Sequence, residues 1–113
     1  MKLYHATSEN NLESIENFGI IAQHSFKPGE DEYNRNVVSE GNVVYGFDNI
    51  EDAISFGYDN ADHIIVCVFD VDDEEVSTDK EYEDGNAFTV KHGINAEDIE
   101  ILDEDKLSDM GMI

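Results

Sequence analysis

The sequence predicts a small α+β domain in which two helices pack on a mixed or antiparallel sheet. Short apolar segments typical of strands outnumber helical patterns, and both clear helical patterns fall in the first half of the 113-residue chain. No segment rich in proline, glycine and serine divides the chain into two parts. We therefore expect one domain over residues 1–103, followed by an acidic tail, residues 104–113, that either docks on the domain or frays.

The first strand and the first helix are predicted within residues 2–19. Residues 2–6 form a short apolar strand, and Ser8 or its neighbour Thr7 is a good N-cap residue for the helix that follows. Glycine at position 19 favours the left-handed conformation that ends helices. Three apolar side chains at nearly helical spacing predict one buried face of this helix: Leu12, Ile15 and Phe18.

The middle of the chain alternates between irregular and regular patterns. Residues 23–42 have weak periodicity, so we expect mainly a loop, with an edge strand within residues 33–38; this segment holds Arg35, the only arginine. Residues 43–45 predict a strand. Asp48, followed by Glu51, resembles the capping box of a second helix.

The second half predicts the remaining strands. Residues 63–69 form a nearly continuous apolar run, typical of a central strand that is covered on both faces. Residues 70–83 are predicted to form an acidic loop, residues 87–90 a strand, residues 95–98 one helical turn, and residues 99–102 the last strand.

The charge of the chain restricts its partners. Twenty-eight Asp and Glu residues against six Lys and Arg residues give a formal net charge of −22, which repels nucleic acids and anionic membranes. Three explanations compete: adaptation to high salt, which the many Asn and Ile residues disfavour; mimicry of nucleic acid towards a basic protein partner; and ordinary solubility. No apolar run approaches the roughly 20 residues of a membrane span. The single cysteine, Cys67, lies in the apolar run, so we expect a cytoplasmic, reducing setting.

Most familiar catalytic and metal-binding patterns are missing from the sequence. The four histidines share no spacing that would place two on one helix face, so we expect no metal site. The acidic run after residue 70 lacks the glycine and the ligand spacing of a calcium loop. Neither Ser8 nor Ser55 lies in a nucleophile elbow, and no glycine-rich phosphate loop is present. His5, at the end of the first strand, and Tyr45 remain as candidate functional residues.

Several motifs, taken in order, resemble those of the ADP-ribosyltransferase superfamily. Residues 3–8 read LYHATS and residues 11–20 read NLESIENFGI, similar to the superfamily's opening strand and helix. Residues 44–56, which include VYGFD and then IEDAISF, resemble its second motif, a tyrosine on a strand followed by a helix. Residues 88–90 (FTV) and 94–100 (INAEDIE) resemble its closing part. The similarity spans nearly the whole chain.

The resemblance implies roles for particular residues. His5 would hydrogen-bond the ribose of NAD, with Thr7 beside it at the mouth of the pocket. Tyr45 would stack on the nicotinamide ring, with Phe56 or Tyr58 on the other face of that ring.

The resemblance also implies a catalytic glutamate at the start of the third-motif strand. The matching place holds Asn86 and Ala87, so Glu83 is the nearest candidate and requires a shift in register.

Two functions from different classes follow. In the first, the protein is ADP-ribosyltransferase-like and binds NAD or a related nucleotide, with or without transferase activity. In the second, it is a nonenzymatic acidic inhibitor, encoded by a phage, whose carboxylates occupy the nucleic-acid-binding surface of a basic protein.

Overall fold

A computed structural model describes residues 1–21, 43–78 and 87–113, and it confirms the predicted α+β class. Within these residues, six strands form one antiparallel sheet in the order β4-β5-β2-β1-β3-β6. The strands are β1 (Lys2–Ser8), β2 (Val44–Phe47), β3 (Ile64–Asp70), β4 (Val76–Thr78), β5 (Ala87–Val90) and β6 (Glu100–Leu102). The helices are α1 (Leu12–Phe18), α2 (Ile50–Asn60) and α3 (Glu104–Asp109).

Strands β1 and β3 form the centre of the sheet. They pair in register over their whole length, from Lys2 opposite Asp70 to Ser8 opposite Ile64. All of β3 except its last residue is buried, as expected for a strand that is covered on both faces.

Two apolar cores lie on opposite faces of the sheet. The core beneath α2 and α3 includes Ala6, Phe47 and Leu107, and the core beneath α1 includes Leu3 and Val44. Because successive side chains of a strand point to opposite faces, this division also shows which face each neighbouring residue occupies.

Helix α1 is capped and ended by the predicted residues, but its predicted buried face is wrong in part. Ile15 is buried and Leu12 is partly buried, whereas Phe18, in the last position of the helix, is 72% exposed. Ser8 accepts a hydrogen bond from the backbone N–H of Asn10 and caps a short 3₁₀ turn that leads into the helix. Gly19 ends the helix with φ of 74° and ψ of −163°, a conformation essentially limited to glycine. The chain then forms an isolated antiparallel bridge between Ile20 and Ile94, through reciprocal backbone hydrogen bonds of 2.9 and 2.8 Å.

Helix α2 begins one residue later than the predicted capping box. The N-cap is Asn49 rather than Asp48, and its side chain accepts hydrogen bonds from the backbone N–H groups of Glu51 and Asp52. Both residue types are good caps, so the pattern alone does not separate them. The extended backbone at position 49 places that side chain against the first turn.

Two elements were not predicted as regular structure. The acidic segment after β3 contains β4, which pairs with β5 at the edge of the sheet. Residues 104–109 form α3, capped by the Asp103 side chain, and Leu107 is completely buried in the core. The predicted loop 23–42, with its edge strand and Arg35, lies entirely outside the described residues.

None of the helices in the described ranges has the length and apolar character needed to cross a membrane.

Candidate functional site

Strands β1 and β2 separate beside His5, which lies in the middle of β1 rather than at the end of the strand as predicted, because β1 continues through Ser8 in its pairing with β3. They share one registered pair, Tyr4 opposite Phe47, whereas β1 and β3 share seven. Beyond this pair, the His5 imidazole lies between the two strands, and its Nδ1 is 2.6 Å from the backbone carbonyl oxygen of Tyr45. The side chain thus replaces a backbone contact between the strands.

This hydrogen bond determines the chemistry that His5 offers. A carbonyl oxygen only accepts, so Nδ1 carries the hydrogen and donates it to Tyr45. Burial lowers the pKa of His5, and this effect outweighs the opposing effect of the hydrogen bond to the Tyr45 carbonyl. The ring is therefore neutral near pH 7, and Nε2 is a hydrogen-bond acceptor.

The opening beside β1 forms a cleft of about 330 Å³, which we call the His5 cleft. Asn11 donates from Nδ2 to the hydroxyl oxygen of Thr7 at 2.8 Å and so fixes two polar side chains at the cleft. Although the chain has a net charge of −22, none of the described lining residues is charged. They are His5, Thr7, Asn11, Ser14, Ile15, Gly19, Ile20, Ile21, Val43 and Val44.

Tyr45 contributes its backbone to this site, whereas its ring points to the other face of the sheet. Val44 belongs to the core beneath α1 and Phe47 to the core beneath α2, so the alternation along β2 places the buried Tyr45 side chain on the α2 face. Phe56 lies on the same face, with its ring centroid 5.6 Å from that of Phe47. The two aromatic rings are therefore not brought together with the His5 imidazole.

Tyr58 lies in a third place, within a polar cluster at the start of α3. Its hydroxyl donates to Oε2 of Glu104, and Oε1 of the same carboxylate is 2.9 Å from Nδ1 of His63. The hydrogen bond to Glu104 raises the pKa of Tyr58 to about 12. The same bond, together with that from His63, lowers the pKa of Glu104, while the carboxylate raises the pKa of His63.

The third-motif glutamate has no counterpart on the described part of β5. Glu83 lies outside the described residues. Ala87 begins β5 opposite Phe47 and is completely buried, and Thr89 is buried with its hydroxyl 3.4 Å from the carbonyl oxygen of Ser77. The four residues of β5 therefore offer no carboxylate.

Sequence reasoning found His5 and Thr7 but missed Asn11 and Ser14, which also line the cleft. Both are polar residues at the start of a helix, where such residues usually cap the helix or face solvent, so no pattern distinguished them.

Comparison with protein-family models found no match, and comparison with curated proteins found none either. The resemblance to ADP-ribosyltransferases therefore rests on the sequence motifs of this chain alone.

Proposed function

We propose that this protein is ADP-ribosyltransferase-like and binds NAD or a related nucleotide in the His5 cleft, through a ribose hydroxyl. The observation that carries the proposal is the position of His5 where β1 and β2 separate, with Nδ1 donating to the Tyr45 carbonyl. The acceptor Nε2 matches a hydroxyl donor, and ribose supplies hydroxyls. The Thr7 and Asn11 side chains add polar groups beside it.

The cleft suits a nucleoside-sized group. Its volume of about 330 Å³ is at the lower end of the 300–1,000 Å³ that is usual for small-molecule sites. The described residues of its lining carry no charge, which limits local repulsion of a phosphate, and the more distant surface carboxylates are screened over about 8 Å at physiological salt. None of the described lining residues is a lysine or an arginine that would bind a phosphate, so the ribose and its base fit this lining better than the pyrophosphate does.

The proposal concerns binding rather than transfer. A transfer reaction through an oxocarbenium-like state needs a carboxylate near the ribose, and none of the described lining residues has one. Glu83 remains the candidate for this role.

The proposal is tested by calorimetric titration with NAD, ADP-ribose and free nicotinamide in 150 mM salt. We expect NAD and ADP-ribose to bind and nicotinamide, which lacks ribose, to bind much more weakly. His5→Asn is the informative variant, because its amide nitrogen occupies a place close to Nδ1 but nothing replaces Nε2. Loss of one neutral hydrogen bond corresponds to a roughly three- to tenfold weaker affinity.

His92→Asn is the matched control, because His92 is an exposed histidine outside the cleft that pairs with Glu75. It should leave nucleotide affinity unchanged. Failure of the wild-type protein to bind NAD and ADP-ribose, or equal affinities for wild type and His5→Asn, would refute the proposal.

A second candidate function rests on the placement of the charges. Among the described residues, Thr89 is the only buried polar or charged side chain, so every described carboxylate lies outside the core. A phage-encoded inhibitor could use this surface to occupy the nucleic-acid-binding face of a basic protein, as phosphates do.

The assay for this function is displacement of duplex DNA from a basic DNA-binding domain. Polyglutamate of equal total charge is the control, because it has the charge without the arrangement. An inhibitor of this kind should act at lower concentrations than polyglutamate and lose potency as salt rises. Equal potency of the two polyanions would leave ordinary acidity as the explanation.

A further inference from the structure

Three side chains from distant parts of the chain come together beside the end of β1 and the start of β3. Glu9 follows β1, His63 precedes β3, and Glu104 begins α3. One ligand atom from each lies within 4.8 Å of the other two, and His63 Nδ1 is 2.9 Å from Glu104 Oε1. Among the described residues, this is the only group of three or more potential metal ligands at such distances.

We propose that Glu9, His63 and Glu104 form a binding site for a divalent transition-metal ion of the Zn²⁺ type, which is separate from the His5 cleft. An imidazole and two carboxylates are ligands that Zn²⁺ accepts, at about 2.0–2.2 Å. In a tetrahedral shell, such ligand atoms are about 3.3 Å apart. Two of the three atoms are already closer than that, so a rotation of the exposed Glu9 side chain completes the set.

The surroundings of the cluster hold the ligands in place. The Glu9 backbone N–H donates to the His63 carbonyl oxygen at 3.0 Å, which fixes the two segments side by side. Glu104 Oε2 accepts from the Tyr58 hydroxyl, so Oε1 is the oxygen that faces His63. Hydrogen bonds of this kind from residues outside the ligand set orient carboxylate ligands in metal sites.

The donor types select the class of ion. Ca²⁺ and Mg²⁺ take oxygen ligands, commonly six or more, whereas the imidazole nitrogen favours Zn²⁺ and its neighbours in the transition series. Three protein ligands leave a position for water. A bound ion would join the end of β1, the start of β3 and the C-terminal helix, and so would stabilise the folded chain.

The sequence did not predict this site, because His63 lies 54 residues after Glu9 and 41 residues before Glu104, and the three share no helix or loop. Only the pairing of Ser8 with Ile64 and the docking of α3 bring them together.

Calorimetric titration of the whole protein with Zn²⁺, at pH 7.5 and 150 mM salt, tests the proposal. We expect one-to-one binding that is at least tenfold weaker in His63→Ala and in Glu9→Gln. Glu9→Gln removes a ligand charge at an exposed position and keeps the fold even if His63→Ala does not. Zn²⁺ should also raise the melting temperature of the wild-type protein, and much less that of Glu9→Gln.

His92→Ala is the control, because His92 pairs with Glu75 at 2.8 Å without a third ligand among the described residues. It should bind Zn²⁺ as the wild type does. Titration with Mg²⁺ should not distinguish the wild type from His63→Ala. Absence of one-to-one Zn²⁺ binding, or equal affinity in all variants, would overturn the proposal, because the binding would then be diffuse attraction to an acidic surface.

Discussion

Replacing Gly19 with alanine should destabilise the protein much more than the same replacement at Gly111. Both glycines have positive φ, 74° and 76° respectively. A Cβ atom at position 19 would lie 2.0 Å from the carbonyl oxygen of Ile94 and 2.8 Å from the backbone nitrogen of Ala96, whereas one at position 111 would have no neighbour within 4 Å. The comparison therefore separates a backbone clash from the conformational cost alone.

The magnitude follows from the backbone contacts. The conformation of Gly19 costs a residue with a side chain about 1–3 kcal/mol. The clash also forces apart the bridge between Ile20 and Ile94, whose two hydrogen bonds contribute about 0.5–1.5 kcal/mol each. Gly19→Ala should therefore cost about 2–6 kcal/mol, against about 1–2 kcal/mol for Gly111→Ala, where only the left-handed backbone is penalised.

The assay is urea unfolding followed by circular dichroism, at a fixed salt concentration so that repulsion among the carboxylates is constant. Both variants lose the same glycine flexibility from the unfolded state, so this contribution cancels in the difference. Gly19→Ala should have a midpoint well below that of Gly111→Ala, or be unfolded without urea. Equal midpoints would show that the close approach of Gly19 to the Ile94 segment does not exist in solution.

Three further predictions concern the burial of single side chains. Leu107→Ala should lower the free energy of unfolding by about 2–5 kcal/mol, because Leu107 is completely buried and anchors α3; a cost below 1 kcal/mol would mean that α3 is not docked. The Cys67 thiol, whose pKa burial raises to about 12, should react with a thiol reagent only at the rate of unfolding, and fast labelling in native buffer would contradict its burial. Burial lowers the pKa of His5 below its ordinary value of 6.5, so the folded protein favours the neutral ring. The contribution of His5 to the free energy of unfolding is therefore complete above pH 6.5 and is lost as pH falls through the folded-state pKa. The difference in stability between wild type and His5→Asn should therefore shrink on acidification, and a constant difference from pH 8 to 5 would refute this.

Local patterns were enough to predict most of the regular structure. The apolar run before residue 70 and the apolar segment that carries His5 are properties of short segments. The periodicity of apolar residues and a few residues at the ends are enough to predict such elements. Two details of these predictions are wrong: β1 continues to Ser8, so His5 lies in the middle of the strand, and Phe18 is exposed although it was assigned to the buried stripe of α1. Strand β4 and helix α3 were missed because three and six residues are too short for a clear period, and one buried leucine holds α3 in place.

The candidate site shows the limit of local reasoning more clearly. The sequence identified His5, Thr7 and Tyr45, but the side-chain alternation along β2 determines that the Tyr45 ring faces α2 while its carbonyl oxygen holds His5.

The amino-acid sequence by itself thus determined the fold class, the strand that carries His5, and the strong negative charge of the surface. Tertiary structure alone decided that β1 and β2 separate to form the cleft, and that Glu9, His63 and Glu104 meet. The reason is physical. Periodicity records which side chains are buried within an element, whereas pairing register and helix docking determine which distant residues share one space.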